Sequence, residues 1–402
     1  MRRLSSPSVV GVVFFTSLLL TAQVLASIPS KSTTTYPSPR FVYVLEGNGV
    51  SGWNVNPTTG AVTPTGQGVV AAGTNPYRVS PDWGGYRLYV ANVGSNDISA
   101  YFINRSNGYL TPVPGSPFAV GRTATAVAVH PSGHYVYVAG ANDAAGDYLA
   151  VFHVNTDGSL SAIAGSPFPT QVNPTAIVAD PSGKYVFVAD SSYEGYIDAF
   201  TVNDVTGALT PIAGSPFALT MPAGCPGGTF PEDIILDNTG TRLYTADAFD
   251  NAISGFNIGS PGGNLAQMQG SAFPDYTCQN PMIGFDPDTL TMVPSGQYLY
   301  AGNGGAQTIS LYNVAPNTGA LSMVGTTPVC YGGTSTAPIL RVDPSGSFLI
   351  TVGVTGPNCG GSKAIVVYRI NSKNGRITPV PGSPFADNNP TGPVSGAVAV
   401  TQ

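Results

Sequence analysis

One short strand recurs seven times along this chain, and that recurrence limits the possible folds more than any other feature. Its anchors are Tyr43, Tyr89, Tyr137, Phe187, Tyr244, Tyr300 and Ile350, spaced roughly 46 to 57 residues apart. Each anchor strand leads to a polar loop, an aromatic-bearing strand, a Gly turn and, in most repeats, Gly-Ser-Pro-Phe. A unit of that length holds about four short strands and cannot bury both of its faces alone, so successive units must stack. The expected fold class is therefore all-β, a seven-bladed β-propeller of four-stranded blades. Such a repeat specifies a scaffold and leaves the chemistry to its loops.

Residues 173–217 show the unit in full. Thr175–Ala179 reads as an apolar inner strand. Asp180-Pro181-Ser182-Gly183 reads as a tight turn, with Pro fixing φ and Gly accepting a positive φ. Tyr185–Ala189, Tyr196–Val202 and Ala208–Ile212 follow as second, third and fourth strands. Gly214-Ser215-Pro216-Phe217 leads out, with Phe217 expected between blades. The first repeat begins at Phe41–Leu45, a second strand without an inner one. The chain ends on Ala397–Val400, an inner strand with nothing after it. The C-terminal strand should therefore pair with the N-terminal blade and close the ring, which removes exposed sheet edges.

This strand order sorts the loops onto two faces. The Pro-Ser-Gly turns lie on one face, the bottom. The second-to-third and blade-to-blade loops lie on the other, the top. Top loops are longest around 218–230, 274–287, 326–337 and 353–362, and variable loops on a rigid scaffold are where binding residues concentrate. Cys225, Cys278, Cys330 and Cys359 all fall in top loops. An even count in an exported chain suggests disulfides, and neighbouring loops favour Cys225–Cys278 and Cys330–Cys359.

Residues 1–26 read as a signal peptide: Arg2 and Arg3, an apolar run over Val9–Ala22, then small residues before Ser27. The run is too short for a membrane span. Residues 27–40 read as a flexible lead-in and 41–402 as the propeller domain. A secreted or periplasmic monomer is expected, with no membrane span after signal removal. The formal net charge is −6, and only 9% of residues are charged. No basic stripe offers the clustered cations that nucleic acid requires.

Candidate site residues are few. His130 and His134 map to a bottom turn, and His153 to the bottom end of a third strand, which takes the commonest general base away from the top mouth. Inner-strand starts at that mouth supply Tyr77 and Arg78, Arg122 and Thr123, Thr175, Glu232 and Asp233, Thr289, Ile339, and Val394 with Ser395. Arg78, Arg122, Glu232 and Asp233 are the charged subset and the candidate ligand-binding set. Their bland alternative is mutual charge pairing. Arg341 reads as an inner-strand arginine in the register of Arg78. Asn142-Asp143 with Asp147, and Asp247 with Asp250 and Asn251, offer hard oxygens but no calcium ligand ladder. No metal and no cofactor are expected. Asn104-Arg105-Ser106 has the form of a glycosylation sequon.

The repeated Tyr-Val-Ala-Asn/Asp, Ile-Ser/Asp-Ala/Gly-Phe and Thr-Gly-Ala-Leu-Thr-Pro segments resemble the seven-bladed lactonase-like propellers, a family with a 6-phosphogluconolactonase branch, over nearly all of residues 41–402. In lactone-active members the resemblance implies an Arg-His pair after an inner-strand Pro, a Glu sixteen residues on, an Arg after a later Asn, and a His opening another inner strand. The matching positions here are Pro231 with Glu232-Asp233, Ala248, Asn303 with Gly304, and Thr175. Acids stand where an arginine is implied, which reverses the local field for an anionic lactone. The expected function is a module binding a small polar ligand or a protein partner at the top face. The alternative is a lactone hydrolase in which Glu232 and Asp233 are the catalytic acids.

Overall fold

A computed structural model describes residues 40–140, 146–221, 228–275, 286–329, 339–354, 363–386 and 394–401. These form seven small antiparallel sheets and, among the described residues, no helix. The inner strands of blades 2 to 7 are Pro76–Pro81, Ala126–Val129, Pro174–Ala179, Pro231–Leu236, Pro287–Met292 and Ile339–Val342. Blade 1 takes its inner strand from the far end of the chain. Val394–Thr401 runs antiparallel to Phe41–Glu46, with Val42 opposite Val400 and Val44 opposite Val398. The ring is closed as the truncated first repeat requires.

Packing is between blades, not within them. Phe187, Ala199 and Ile212 of blade 4 share an apolar cluster with Ile234, Leu243 and Phe256 of blade 5, and Phe217 packs into the same joint. The anchor tyrosines add a polar staple to these joints. Tyr43, Tyr244 and Tyr300 donate their hydroxyls to the carbonyls of Gly108, Gly319 and Gly375, each in the next blade, at 3.0, 2.8 and 2.6 Å. Gly108 has φ 75°, and a Cβ there would lie 2.4 Å from the Phe41 ring. The turn glycine is thus required both by its conformation and by the approach of the neighbouring blade.

The Gly-Ser-Pro-Phe segment does more than lead out of the blade. The fourth strand of blade 4 is split into Leu209–Pro211 and Phe217–Ala218, and both pieces pair with the third strand. In the gap the Ala199 N–H would be stranded; the Ser215 hydroxyl accepts it at 2.9 Å. Ser116, Ser166, Ser271 and Ser383 do the same for Ala100, Val151, Gly255 and Val367. An unsatisfied buried N–H costs about 1–3 kcal/mol, which gives this serine its structural reason.

The bottom turns follow the expected geometry. The Asp180 N–H donates to Tyr185 and the Gly183 N–H returns to Asp180. His130 occupies the corresponding place in blade 3, where it is buried. Its Nε2 donates to the Gly183 carbonyl at 2.8 Å and its Nδ1 accepts from Ser132 at 2.7 Å. His153 stands opposite Tyr135, near the same end of its blade. Residues 1–39, Asn142-Asp143 and all four cysteines, Cys225, Cys278, Cys330 and Cys359, lie outside the described residues.

Candidate functional site

Four inner strands begin in the same irregular way. In blades 2, 4, 5 and 6 a proline pairs with the end of the second strand. One residue is then skipped, and pairing resumes at the next: Pro76 and Arg78, Pro174 and Ala176, Pro231 and Asp233, Pro287 and Thr289. The residue before each proline has a positive φ: Asn75 (52°), Asn173 (62°), Phe230 (45°) and Asp286 (44°). The skipped residues are Tyr77, Thr175, Glu232 and Asp288. A bulge of this kind takes a side chain out of the regular ladder and re-aims it. Asn tolerates the left-handed region well, whereas Phe does not.

In blade 4 the skipped residue staples the ring. Thr175 donates to the Pro231 carbonyl of the next blade at 2.8 Å, and Thr125 of blade 3 donates likewise to Pro174 at 2.7 Å. Blades 5 and 6 place Glu232 and Asp288 there instead. An ionised carboxylate cannot donate to a carbonyl, so these two positions exchange a structural contact for an acidic mouth.

Glu232 accepts from Ser191 at 3.0 Å. Burial pushes its carboxyl above the ordinary range, with Asp233 adding to the rise, while the Ser191 hydrogen bond and the Arg78 charge oppose it. Asp288 is pushed up to about 7 by burial first, then by the charges of Glu232 and Asp286. Arg78 donates to the main-chain carbonyl of Glu232 at 3.2 Å. Because Arg78 is in blade 2 and Glu232 in blade 5, this guanidinium spans the ring. Below it runs a channel of about 500 Å³, lined by inner-strand residues of every blade.

Not every predicted site residue joins this group. Asp233 does not face the ligand space as a free acid: its carboxylate accepts the N–H groups of Ile234 and Leu290, both at 3.0 Å. Arg122 donates to the Gly146 carbonyl at 3.1 Å and lies over the Tyr148 ring, 5.2 Å from its centroid, so it belongs to the blade 2–3 loop region. Arg341 is not in the register of Arg78. It pairs with Ile350, the level of Ser80 opposite Tyr89, two residues further down its strand. The two prolines are not equivalent: Pro81 precedes the turn aspartate Asp82 whereas Pro344 follows Asp343, so counting back from proline gave a level two residues off. There Arg341 lines the channel, its basicity lowered by burial and supported by the Asp233 charge.

Two features escaped sequence reasoning. Asp288, not Thr289, is the blade 6 counterpart of Glu232; the signal was present, since each follows an inner-strand proline. The second feature is a group of aromatic rings beside Glu232. Tyr193 and Phe249, 55% and 58% exposed, flank Phe230. Ring centroids are 6.3 Å apart for Tyr193–Phe230, edge to face, and 4.6 Å for Phe230–Phe249, tilted. These rings come from two second-to-third loops and one blade-to-blade loop, and no periodicity announces that meeting.

Among known structures the chain is similar to a putative 6-phosphogluconolactonase from Bacteroides uniformis ATCC 8492, with 20% identity and a TM-score of 0.69 over 91% of this chain and 100% of that one. A second, from Bacteroides fragilis NCTC 9343, shares 18% identity at TM-score 0.69, covering 93% and 100%. A periplasmic gluconolactonase of Pseudomonas aeruginosa shares 18% identity at TM-score 0.67, covering 91% and 99%. No curated protein matches the sequence. The family model described as "Lactonase, 7-bladed beta-propeller" matches residues 109–225 and 225–391. The repeats, the closed ring and that match together place the chain in the lactonase family of seven-bladed β-propellers.

Proposed function

We propose that this chain is a ligand-binding member of its family, taking a neutral, polyhydroxylated ring at the top mouth without hydrolysing it. The observation that carries the reading is the assignment of the mouth's charges. Arg78 gives one hydrogen bond to a main-chain carbonyl, Asp233 is held by two backbone N–H groups, and the carboxyls of Glu232, which accepts one bond from Ser191, and of Asp288 keep acceptor capacity for a ligand. Carboxyls accept from hydroxyls and repel phosphate or carboxylate. The exposed rings of Tyr193 and Phe249 offer a flat apolar surface for the C–H face of a sugar. The left-handed Phe230 holds this surface beside Glu232, and strain of that kind concentrates at binding sites. The signal-like residues 1–26 and the periplasmic neighbour support a location outside the cytoplasm.

One observation favours a second reading, lactone hydrolysis with Glu232 and Asp288 as the acid–base pair. Two adjacent carboxyls with raised pKa values are the arrangement that lets one donate a proton while the other accepts it. A pH-stat assay with purified protein and glucono-δ-lactone separates the two. The expected rate equals that of buffer. Saturable hydrolysis that falls at least a hundredfold in Glu232→Gln or Asp288→Asn establishes the hydrolase instead.

A further inference from the structure

Blade 6 departs from the other six at its outer edge. In blades 2, 3, 4, 5 and 7 the outer strand is broken, and a phenylalanine re-enters the sheet opposite a buried third-strand residue. The pairs are Ile98–Phe118, Leu149–Phe168, Ile197–Phe217, Ile253–Phe273 and Ile365–Phe385. Blade 1 is broken too, with Val50 opposite Val70. In blade 6, Ile309 faces Thr327, and the outer strand is one segment over Leu321–Pro328, with a single register shift at Val324 between Met323 and Gly325.

Two consequences meet at one place. The ring that elsewhere fills the joint to the next blade is missing, and a cavity of about 240 Å³ opens there. Tyr300, Ile309, Leu311 and Val324 line it from blade 6, and Ile377 from blade 7. The edge itself also lacks the proline-bearing break that blunts its counterparts. Its sequence, Leu-Ser-Met-Val-Gly-Thr-Thr-Pro, carries no charge, and Met323 is 42% exposed. Natural sheets guard such edges with charge, proline or bulges because unpaired backbone groups template a further strand; here the guards are limited to the register shift at Val324 and the terminal Pro328.

We propose that the outer edge of blade 6 docks an extended peptide segment, which places a phenyl-sized side chain in this cavity and a carboxylate on Arg376. Main-chain pairing supplies affinity and the pocket supplies selectivity, the mode by which sheet edges take up peptides. The size of the side chain follows from the repeat, since phenylalanine occupies this joint in five other blades. The carboxylate follows from charge: Arg376 lines the cavity, is exposed, and forms no ion pair among the described residues. A second copy of this chain fits less well. Two such edges side by side bring no acid to either Arg376.

The test uses the full chain and a phage-displayed decapeptide library, followed by titration of the enriched peptide. Enrichment of an aromatic or large aliphatic residue within two positions of Asp or Glu is the expected result. Binding of that peptide should weaken at least tenfold in Arg376→Glu. It should be lost in Thr327→Phe, whose ring fills the cavity and whose melting temperature should not fall. No such motif, or equal binding by both variants, overturns the proposal. A wild-type dimer that Thr327→Phe dissolves also overturns it, because the edge then belongs to a second copy. If Thr327→Phe does not fold, the Arg376→Glu comparison decides.

Discussion

Deletion of residues 394–402 is expected to abolish the cooperative unfolding transition, although it removes no more than one strand. That strand is the inner strand of blade 1. Without it Phe41–Glu46, buried along its whole length, becomes an exposed edge, and Val398 and Ala399 leave the joint they fill. A propeller gains its stability from neighbour contacts around the circle, so an open ring loses joints on both sides of the break. A single substitution tests the same point more gently. Val398 is fully buried opposite Val44. Val398→Asp places an unpaired charge there, at a cost of about 3–5 kcal/mol, or roughly 4–7 °C in melting temperature for a domain of this size. Calorimetry of Val398→Asp beside wild type measures it. A melting temperature within a degree or two of wild type would mean that the C-terminal strand is not what seals the circle.

Asp190→Asn is expected to stabilise the protein at alkaline pH and to leave it nearly unchanged near pH 4. The second strands of blades 2 and 6 end in Asn92 and Asn303, each of which donates to a third-strand serine, Ser99 and Ser310, at 3.0 and 2.8 Å. Blade 4 has acids at both places, Asp190 and Asp198, and both are buried. Burial first, then the Asp198 charge, pushes the Asp190 carboxyl up to about 10; burial also raises Asp198, which accepts the Gln171 N–H at 2.7 Å. The pair therefore holds its proton on Asp190 at neutral pH. A raised carboxyl pKa means that the folded state binds a proton the unfolded chain releases above about pH 4. The stability this confers is complete below pH 4 and declines as pH rises toward 10. Asn mimics the protonated acid at every pH. Its gain at pH 8 should be at least about 1.4 kcal/mol, the value of one pKa unit, read as a flatter dependence of melting temperature on pH. A variant less stable than wild type at pH 8 would mean that the two carboxyls do not share a proton.

The sequence carries the architecture because propeller blades repeat their solutions. Anchor strands, Pro-Ser-Gly turns and a headless first repeat each state a local rule, and the ring obeys all of them. The Gly-Ser-Pro-Phe serine was legible as structural but not as the acceptor for Ala199, because that bond depends on a strand break visible only in the pairing. The mouth was legible in part. Glu232 stood out as a charge in a charge-poor chain, but Asp288 was passed over for Thr289 because the bulge after Pro287 is visible only in the pairing, and Arg341 was misplaced because Pro344 follows its turn aspartate whereas Pro81 precedes its own. The meeting of Tyr193, Phe230 and Phe249 depends on loop geometry with no periodic signature. Gly-Ser-Pro-Phe is missing from the first and sixth repeats alike, and only the register of Thr327 shows what the omission opens in blade 6.

The account rests most on a mouth whose available groups are carboxyls and aromatic faces. Isothermal titration with paired sugars, glucose and glucose 6-phosphate among them, addresses this directly, using wild type and the Glu232→Gln/Asp288→Asn double variant. The prediction is that a neutral sugar binds wild type at least tenfold more tightly than its phosphorylated partner, and that the double variant loses most of the affinity for the neutral form. Tighter binding of the phosphorylated sugar, or affinity for the neutral one that the double variant retains, would contradict it.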